Sequence, residues 1–365
     1  MTLYIGLMSG TSLDGVDGAL AQFDGDTTTT LGAAYIGFPP TLRAELMALQ
    51  AAGHNEIERE ALAANQLAQH YAQCVAELLR TTGRTPQEIR AVAVHGQTIR
   101  HRPELGFTRQ TNNPALLAEL CGIDVIADFR TRDVAAGGQG APLVPAFHQA
   151  LFNQEGQTRV VANIGGIANI SVLSGDGRVV GFDTGPGNVL MDGWIHRHRQ
   201  QDYDADGAWA ATGQVIPELL AELLTEPYLA QPAPKSTGRD LFHLEWLDAR
   251  LAAHTAAAPE DVQRTLTQFT AATLADAIKA YGSAADAVYI CGGGAYNSVL
   301  MEALGKELGN QVMVASTQAL GVAPNCVEPL AFAWLGYRFT ERLAGNLPAV
   351  TGAQGERVLG ALYPR

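Results

Sequence analysis

The segment 10–17 combines glycines, hydroxyl side chains and carboxylates between two apolar runs. Backbone N–H groups in such a turn can bind an anion, and the hydroxyls of Thr11 and Ser12 can add donors. Carboxylates would repel a bare phosphate, but Asp14 suits Mg²⁺, directly or through water, because Mg²⁺ prefers oxygen ligands. The pattern Gly-x-x-x-x-Gly-Lys-[Ser/Thr] does not occur here, so the segment is not a P-loop. An Asx-type turn, in which Asp14 bonds its own backbone, is the alternative.

A second carboxylate with possible chemistry is Asp183, in the segment GFDTGPGNVLMD. It ends an apolar stretch, and residues 185–188 then turn the chain into a predicted helix. The first turn of a helix offers free N–H groups and a partial positive charge to an anion. A carboxylate held beside it can act as a base near phosphate. We therefore favour a catalytic Asp183 over one that only caps the turn.

Two more glycine turns follow apolar strands. Gly165-Gly166, in NIGGIAN, predicts a hairpin. On its own this is an ordinary turn, and it indicates a functional site only when considered together with the turn at 10–17. Residues 292–294, in YICGGGAYN, follow a strand and precede a helix that begins near Asn297, which is where open α/β sheets bind ligands. The spacing is not Gly-x-Gly-x-x-Gly, so a dinucleotide fold is disfavoured. A backbone of glycines can instead let an adenine or a ribose lie flat, or simply form a tight turn.

Several polar residues lie at comparable places after apolar stretches. His95 and Gln97 follow residues 91–94 and could hydrogen-bond sugar hydroxyls. Arg130 could bind a ligand carboxylate through two hydrogen bonds. Glu328 could face the same ligand or stabilise the start of a helix. Each also has a purely structural interpretation, as a buried histidine with its partners or as a solvated charge.

The elements that would position these residues alternate between strands and helices, which indicates an α/β fold. A long helix is predicted over Glu56–Thr82, with Gly83 ending it. Its predicted apolar stripe comprises Ile57, Ala61, Ala64, Ala68, Tyr71, Val75, Leu78 and Leu79. Shorter helices are predicted between Asn113 and Gly122 and from Pro259. The strand-like stretches are 3–7, 15–23, 91–94, 124–127, 159–164, 169–173, 179–182, 287–290 and 311–315.

The chain also contains a weak internal echo. Residues 3–23 and 159–173 are both strand–glycine turn–strand units, about one domain length apart. They are either two ordinary hairpins or the openings of two related domains whose turns point into a shared cleft. We expect a first domain over 1–130 and a second over 131–344, with 345–365 able to return to the first.

Composition excludes some function classes. The chain has 365 residues, a formal net charge of −13 and 47% hydrophobic residues. An acidic chain is unsuited to nonspecific binding of nucleic acid or of acidic membranes. Its four cysteines form no Cys-x-x-Cys pair, and no leader or run of 18 apolar residues is evident. We therefore expect a cytoplasmic protein with reduced thiols.

The motifs occur in an order that resembles the 1,6-anhydro-N-acetylmuramic acid kinase family, and the resemblance covers residues 4–363. The motifs are GLMSGTSLDGVD, HGQT, DFRTRDVAAGGQGAPLVPAFH, NIGGIANIS, GFDTGPGNVLMD, YDADGAWAATG, PKSTGRD, CGGGAYN and TGAQGERVLGALYP. The resemblance implies two ribonuclease-H-like α/β domains around a central cleft, as in the sugar-kinase, actin and heat-shock ATPase superfamily. It further implies ATP with Mg²⁺, the substrate anhydro-N-acetylmuramic acid, a homodimer and a role in recycling cell-wall peptidoglycan.

The resemblance also assigns residues. Asp183 matches the catalytic base, and His95, Gln97, Arg130 and Glu328 are candidates for contacts with the sugar. Asp14 is the candidate for Mg²⁺. The candidates for binding ATP are Gly10, Thr11, Ser12, Leu13, Asp14, Gly15, Val16, Asp17, Gly165, Gly166, Gly292, Gly293 and Gly294.

Two other classes remain open from the residues. An actin-like or chaperone-like ATPase would share the fold and both hairpins but would not need a set of residues that binds sugar. A glycosidase would use two carboxylates, such as Asp183 and Glu328, and no ATP.

Overall fold

The computed structural model describes residues 1–10, 12–25, 27–309 and 312–365. It forms two compact units: unit 1 comprises 1–151 and 326–365, and unit 2 comprises 152–325. The strands are β1 Thr2–Met8, β2 Gly15–Asp24, β3 Thr27–Gly37, β4 Ile89–Val94, β5 Gln97–Arg102, β6 Phe107–Thr111, β7 Val125–Ala127, β8 Arg159–Ile164, β9 Ile167–Leu173, β10 Val179–Pro186, β11 Ala287–Cys291, β12 Met313–Ser316 and β13 Ala361–Tyr363. The α-helices are α1 Pro40–Ala48, α2 Glu56–Thr82, α3 Pro114–Cys121, α4 Thr131–Ala135, α5 Val144–Phe152, α6 Val189–Arg199, α7 Pro217–Leu223, α8 Leu244–Leu251, α9 Pro259–Tyr281, α10 Ser298–Leu308, α11 Val327–Thr340 and α12 Pro348–Thr351.

Five strands of the main sheet have the same order in both units, and unit 1 adds β13 as a sixth at the edge. In unit 1 the order is β13-β7-β4-β1-β2-β3, with β1–β3 antiparallel and β4 and β7 parallel to β1. In unit 2 it is β10-β9-β8-β11-β12, with β8–β10 antiparallel and β11 and β12 parallel to β8. This order, third-second-first-fourth-fifth, is the ribonuclease H-like arrangement. The predicted α/β class with two ribonuclease-H-like domains is therefore confirmed, and the echo in the sequence corresponds to the β1–β2 and β8–β9 hairpins.

The predicted long helix is confirmed as α2, which ends at Gly83 in the left-handed conformation. The stripe is wrong at its first turns, because Ile57 is 88% exposed and Ala61 is exposed as well. Burial begins at Ala63 and includes Leu67 and Cys74, where the helix packs on the sheet and on α3. Helix α3 is confirmed too: the Asn113 side chain accepts the N–H of Leu116, as an N-cap residue should.

Strand β3 was not predicted from the sequence. Its side chains alternate between exposed and half-buried along all 11 residues, and among the described strands β2 is its one partner. Its threonines and glycines lack the apolar alternation that marks a strand with one buried face.

The predicted strand over 311–315 is present as β12, but Gln311 itself lies outside the described residues, as does Thr11.

The division into units differs from the expected boundary at residue 130, because Asp133 ties the following loop to the end of the chain. Its Oδ2 atom accepts the N–H of Gly140 at 2.8 Å. Its Oδ1 atom accepts Asn346 Nδ2 at 2.7 Å and Thr351 Oγ1 at 2.8 Å. The carboxylate is fully buried. Helix α4 and nearly all of α5, to Leu151, therefore belong to unit 1, and the chain returns to this unit at Cys326 rather than at residue 345.

Among the helices that these described residues form, none has both the length and the apolar character that crossing a membrane requires.

Replacing Asp133 with alanine is expected to lower the free energy of unfolding by about 3 kcal/mol, because three buried donors lose their acceptor. Asp133→Asn should cost less, since it keeps one oxygen. Urea unfolding measures both, and Asp24→Ala, at an exposed position, is the control. Equal stability of Asp133→Ala and the control would contradict the claim that the Asp133 carboxylate holds the loop and the end of the chain together.

Candidate functional site

The turn after β1 is held from beneath by other elements of unit 1. Ser9 is buried, and its hydroxyl donates to the carbonyl of Gly96 at 3.0 Å and bonds the Tyr71 hydroxyl at 2.8 Å. Gln97 Nε2 donates to the carbonyl of Gly10 at 3.0 Å. Gln97 thus supports the turn through its amide nitrogen, and its expected contact with a sugar stays a prediction.

The middle of the same turn has a constrained backbone. Leu13 has φ 58° and a fully buried side chain, so its apolar group anchors an otherwise unfavourable left-handed conformation. The carbonyl of Asp14 accepts the N–H of Phe38 at 2.8 Å and the hydroxyl of Tyr35 at 3.0 Å. The exposed Asp14 carboxylate accepts the Ser12 hydroxyl. The turn thus presents a carboxylate to solvent from a fixed backbone.

Asp17, in unit 1, lies close enough to two other carboxylates of that unit to be affected by them. Burial raises the pKa of Asp17 to about 7, and the nearby Asp14 and Glu328 carboxylates raise it further in the same direction. A divalent cation would relieve this repulsion. Among the residues described, no group of three His, Cys, Asp or Glu side chains is close enough to enclose a metal ion. Magnesium held here would therefore rest on one or two carboxylates and several waters, which is its usual habit.

His95 and Arg130 are brought into direct contact. Arg130 Nε donates to His95 Nε2 at 2.9 Å, and Arg130 Nη1 donates to the carbonyl of Gly140 at 2.8 Å. Burial, and then the adjacent guanidinium, hold the pKa of His95 well below its usual range. The ring is therefore neutral, and because Nε2 accepts, its proton lies on Nδ1. Arg130 is oriented by two fixed partners.

In unit 2 the β8–β9 turn is bonded to the start of α6. The carbonyl of Gly165 accepts the N–H of Asn188 at 2.8 Å. The carbonyl of Gly166 accepts the N–H groups of Gly187 at 2.9 Å and Val189 at 3.1 Å. A Cβ atom at Gly187 would lie 2.2 Å from the Gly165 carbonyl oxygen. Glycine at position 187 is therefore required by the close approach of two backbones.

The glycines after β11 pack on the end of β8. Gly292 has φ +77°, and a Cβ there would lie 2.3 Å from Asn163 Oδ1. A Cβ at Gly294 would lie 2.4 Å from Ile164 Cγ2. Close packing thus explains two of the three glycines without a ligand. The structure also brings this turn, the Gly165-Gly166 turn and the start of α6 to one end of the sheet of unit 2.

Asp183 lies in β10 opposite Asn169, just before a register irregularity at Gly185. Its Oδ2 atom accepts the N–H of Thr237 at 3.1 Å. Its own N–H donates to the carbonyl of Lys235 at 3.2 Å, and its carbonyl accepts the Tyr228 hydroxyl at 2.7 Å. Backbone and carboxylate are thus both oriented by the segment that contains PKSTGRD.

Lys235 fixes that segment. Its Nζ donates to the carbonyls of Tyr228 at 3.2 Å and Leu229 at 2.9 Å, and it lies 4.7 Å from the Tyr228 ring centroid. Burial lowers the pKa of Lys235. In the sequence, PKSTGRD stood out only as one of the motifs of the family resemblance, and its position beside Asp183 was missed. The adjacent lysine, serine and threonine were its only local signal.

Gly292→Ala is expected to destabilise the protein by about 2 kcal/mol, because the new Cβ is placed against Asn163 in a left-handed backbone. Gly305→Ala is the matched control: it lies in α10 with no atom within 4 Å of the new Cβ. The control should be stabilised by up to about 1 kcal/mol. Thermal unfolding compares them, and a gain of stability in both variants would refute the packing argument.

Comparison with known proteins identifies the relatives of the chain. Residues 2–365 match the model of the anhydro-N-acetylmuramic acid kinase family. The chain is 59% identical over 378 residues to "Anhydro-N-acetylmuramic acid kinase" of Burkholderia pseudomallei strain K96243, covering 100% of this chain and 98% of that one. The protein of the same name from Burkholderia thailandensis is 59% identical over 375 residues, with the same coverage.

Among solved structures, the chain resembles an activator of the 2-hydroxyisocaproyl-CoA dehydratase from Clostridium difficile with bound ADPNP, at 14% identity and a TM-score of 0.49. That match covers 93% of this chain and 96% of the activator. A ROK family glucokinase from Streptomyces griseus in complex with glucose and AMPPNP gives 16% identity and a TM-score of 0.43, covering 91% and 98%. The match to the family model over residues 2–365 and the 59% identity show that this chain belongs to the anhydro-N-acetylmuramic acid kinase family.

Proposed function

We propose that the chain is an ATP-dependent kinase that opens the 1,6-anhydro bridge of anhydro-N-acetylmuramic acid and phosphorylates O6. The products are N-acetylmuramic acid 6-phosphate and ADP, in the recycling of peptidoglycan. The proposal rests on membership of the family over nearly the whole chain. The structural observation that supports it best is the Asp183 carboxylate, oriented by the Thr237 N–H beside the glycine turns of unit 2.

Asp183 is the proposed general base. In the substrate O6 is part of the bridge, so there is no 6-hydroxyl to deprotonate. Asp183 would accept a proton from a water molecule as that water attacks C1. The C1–O6 bond then breaks, its electron pair stays on O6, and O6 attacks the γ-phosphorus while ADP leaves. One carboxylate thereby serves hydrolysis and phosphoryl transfer.

The hydrogen bonds around Asp183 support this role because both reactions depend on position. Small misplacements of a catalytic group can cost orders of magnitude in rate. Tyr228 and Lys235 hold the backbone of Asp183, and Thr237 holds one carboxylate oxygen. The base would therefore need little reorganisation when the substrate binds.

The turn at Gly10–Asp17 is the proposed phosphate site, and the glycines at 165–166 and 292–294 complete the proposed ATP site. Asp14 is the proposed partner of Mg²⁺, directly or through water. When bound, Mg²⁺ would neutralise charge on the phosphates. The support from Ser9 and Gln97 beneath the turn would keep its N–H groups oriented toward those oxygens.

Arg130, His95, Gln97 and Glu328 are the proposed contacts with the sugar. Of these four residues, Arg130 has the strongest structural support as a contact with the sugar, because His95 and Gly140 hold its guanidinium in one orientation. A fixed guanidinium suits a carboxylate such as the one on the lactyl group of the substrate. A homodimer in the cytoplasm is also part of the proposal; sedimentation equilibrium tests the dimer.

Asp183→Asn should retain ATP binding and lose sugar turnover by roughly 10²–10⁴-fold, because the amide cannot accept the proton from water. Calorimetry measures ATP binding, and ADP release measures turnover. Asp176→Asn, an exposed change in the same unit, is the control. A kcat close to that of the unchanged protein would remove Asp183 from this role.

Tyr228→Phe should lower kcat by roughly 10-fold with little change in KM for ATP, because Asp183 loses the donor that fixes its carbonyl. Steady-state kinetics with both substrates measures kcat and KM separately. Tyr203→Phe, at an exposed tyrosine, should behave as the unchanged protein does. A change in KM alone would speak against a positioning role.

One assay separates the proposed kinase from the two other classes. ADP release is followed with and without the anhydro sugar, and the sugar product is weighed by mass spectrometry. The proposed kinase releases ADP only with sugar, and the sugar gains the mass of one water and one phosphoryl group. An actin-like ATPase releases ADP without sugar, and a glycosidase changes the sugar without ATP.

A further inference from the structure

A buried ion pair in unit 2, between Glu226 and Arg250, has no part in the proposed mechanism. Glu226 is 8% exposed, and its Oε2 atom accepts Arg250 Nη2 and Trp246 Nε1, both at 2.8 Å. The guanidinium carbon of Arg250 lies 3.7 Å from the centroid of the Trp246 ring, so the cation stacks on an indole of its own helix, α8. Two oriented donors of α8 therefore bind the same carboxylate oxygen.

The second oxygen of Glu226 bonds a different element. Its Oε1 atom accepts the N–H of Tyr228 at 3.4 Å, at the start of the short 3₁₀ turn Pro227–Ala230. The hydroxyl of Tyr228 donates to the carbonyl of Asp183 at 2.7 Å. The Glu226 carboxylate thus joins α8 to the residue that holds the backbone of the proposed base.

The ring of Tyr228 is fixed by packing that leads to the same helix. It meets Phe242 edge to face at a centroid distance of 6.2 Å, and Phe242 meets Trp246 in the same way at 5.3 Å. Trp246 in turn stacks on Phe269 of α9 at 6.1 Å. All four rings are buried. Tyr228 is therefore held both at its backbone and at its ring.

Stability alone is a weak reason for this ion pair. Removing two charges from water is unfavourable and offsets much of their attraction, and apolar residues of similar volume often stabilise a protein as well or better. A carboxylate supplies what an apolar group cannot, namely acceptors for donors from two elements at once. The two oxygens of Glu226 thereby fix the turn Pro227–Ala230 relative to α8.

We propose that Glu226 is a positioning residue for the proposed base Asp183, that Arg250 orients its carboxylate, and that it acts through Tyr228. The inference deepens the proposed function and rests on it. By holding the turn Pro227–Ala230, Glu226 keeps the Tyr228 hydroxyl against the Asp183 carbonyl, so the carboxylate of Asp183 keeps its direction. Arg250 and Glu226 are 24 residues apart, so local spacing in the sequence could not suggest the pair.

Glu226→Gln is the test variant. Its amide has one acceptor oxygen, so it can satisfy the donors of α8 or the N–H of Tyr228 but not both. We expect kcat with the anhydro sugar to fall by about 3- to 10-fold, while KM for ATP changes by less than about 2-fold. Asp248→Asn is the matched control, because it breaks an exposed ion pair of the same helix, with Arg197, and should leave kcat and KM unchanged.

A double-mutant cycle with Tyr228→Phe tests the route. If Glu226 acts through the Tyr228 hydroxyl, Glu226→Gln should lower kcat by less than about 2-fold once that hydroxyl has been removed. Losses that multiply, as at two independent sites, would overturn the proposal, and so would an unchanged kcat in a folded Glu226→Gln protein.

Thermal unfolding checks that each variant is folded. If Glu226→Gln does not fold, Arg250→Lys takes its place in the cycle, with the same expected outcomes. Lysine keeps the positive charge but lacks the planar group that stacks on Trp246 and binds Glu226.

Hydrogen–deuterium exchange separates this inference from the proposed function. The N–H of Asp183 is bonded to the Lys235 carbonyl, and the N–H of Thr237 to the Asp183 carboxylate. Glu226→Gln should raise exchange at both by at least about 3-fold, and Asp248→Asn should not. If exchange rises but the unchanged protein releases no ADP with the sugar, the positioning assignment stands and the kinase proposal fails. If the sugar is phosphorylated and exchange stays unchanged, the positioning assignment fails alone. If neither effect occurs, both fail.

Discussion

Each unit depends on a pair of parallel central strands, β1 with β4 and β8 with β11. Their backbone groups are satisfied by one another, so their apolar side chains can be buried on both faces of the sheet. Polar residues are then confined to the points where both strands end. In unit 1 the register pairs Leu7 with Val94, and the N–H of His95 donates to the carbonyl of Leu7. The first turn and the HGQT segment become neighbours for that reason.

In unit 2 the turns that follow the paired strands β8 and β11 are also neighbours, but backbone packing rather than side-chain hydrogen bonds holds them together. Cys291 pairs with Asn163, so the chain leaves β11 directly against the end of β8. Side chains at 292 and 294 would collide with that strand, and one at 187 would collide with its turn. Glycine is therefore needed first for packing.

Long-range hydrogen bonds organise the remainder of unit 1. Asp133 joins the GGQG loop to the C-terminal segment, and Arg130 joins the same loop to His95. These bonds couple residues far apart in the chain, which is why the unit extends to residue 151 and resumes at 326. Around Asp17 the effect is the opposite: burial, and then the nearby carboxylates of Asp14 and Glu328, raise its pKa, and a cation would offset that repulsion.

The sequence by itself determined the features that depend on neighbouring residues. Helix α2 with its terminal Gly83, the Asn113 cap and both central hairpins follow from local spacing and turn chemistry, and they were predicted correctly. Strand β3 could not be predicted, because an exposed edge needs no apolar alternation.

Only the tertiary structure decided which polar groups meet. Thr237 reaches Asp183 across 54 residues, Gln97 reaches Gly10 across 87, and Asn346 reaches Asp133 across 213. Local spacing carries no information about such pairs, since they form only after the strands have been ordered in the sheet. The residue types that could do chemistry were thus readable from the sequence. Their partners, and with them the orientation of each carboxylate and guanidinium, were set by the path of the chain through each unit.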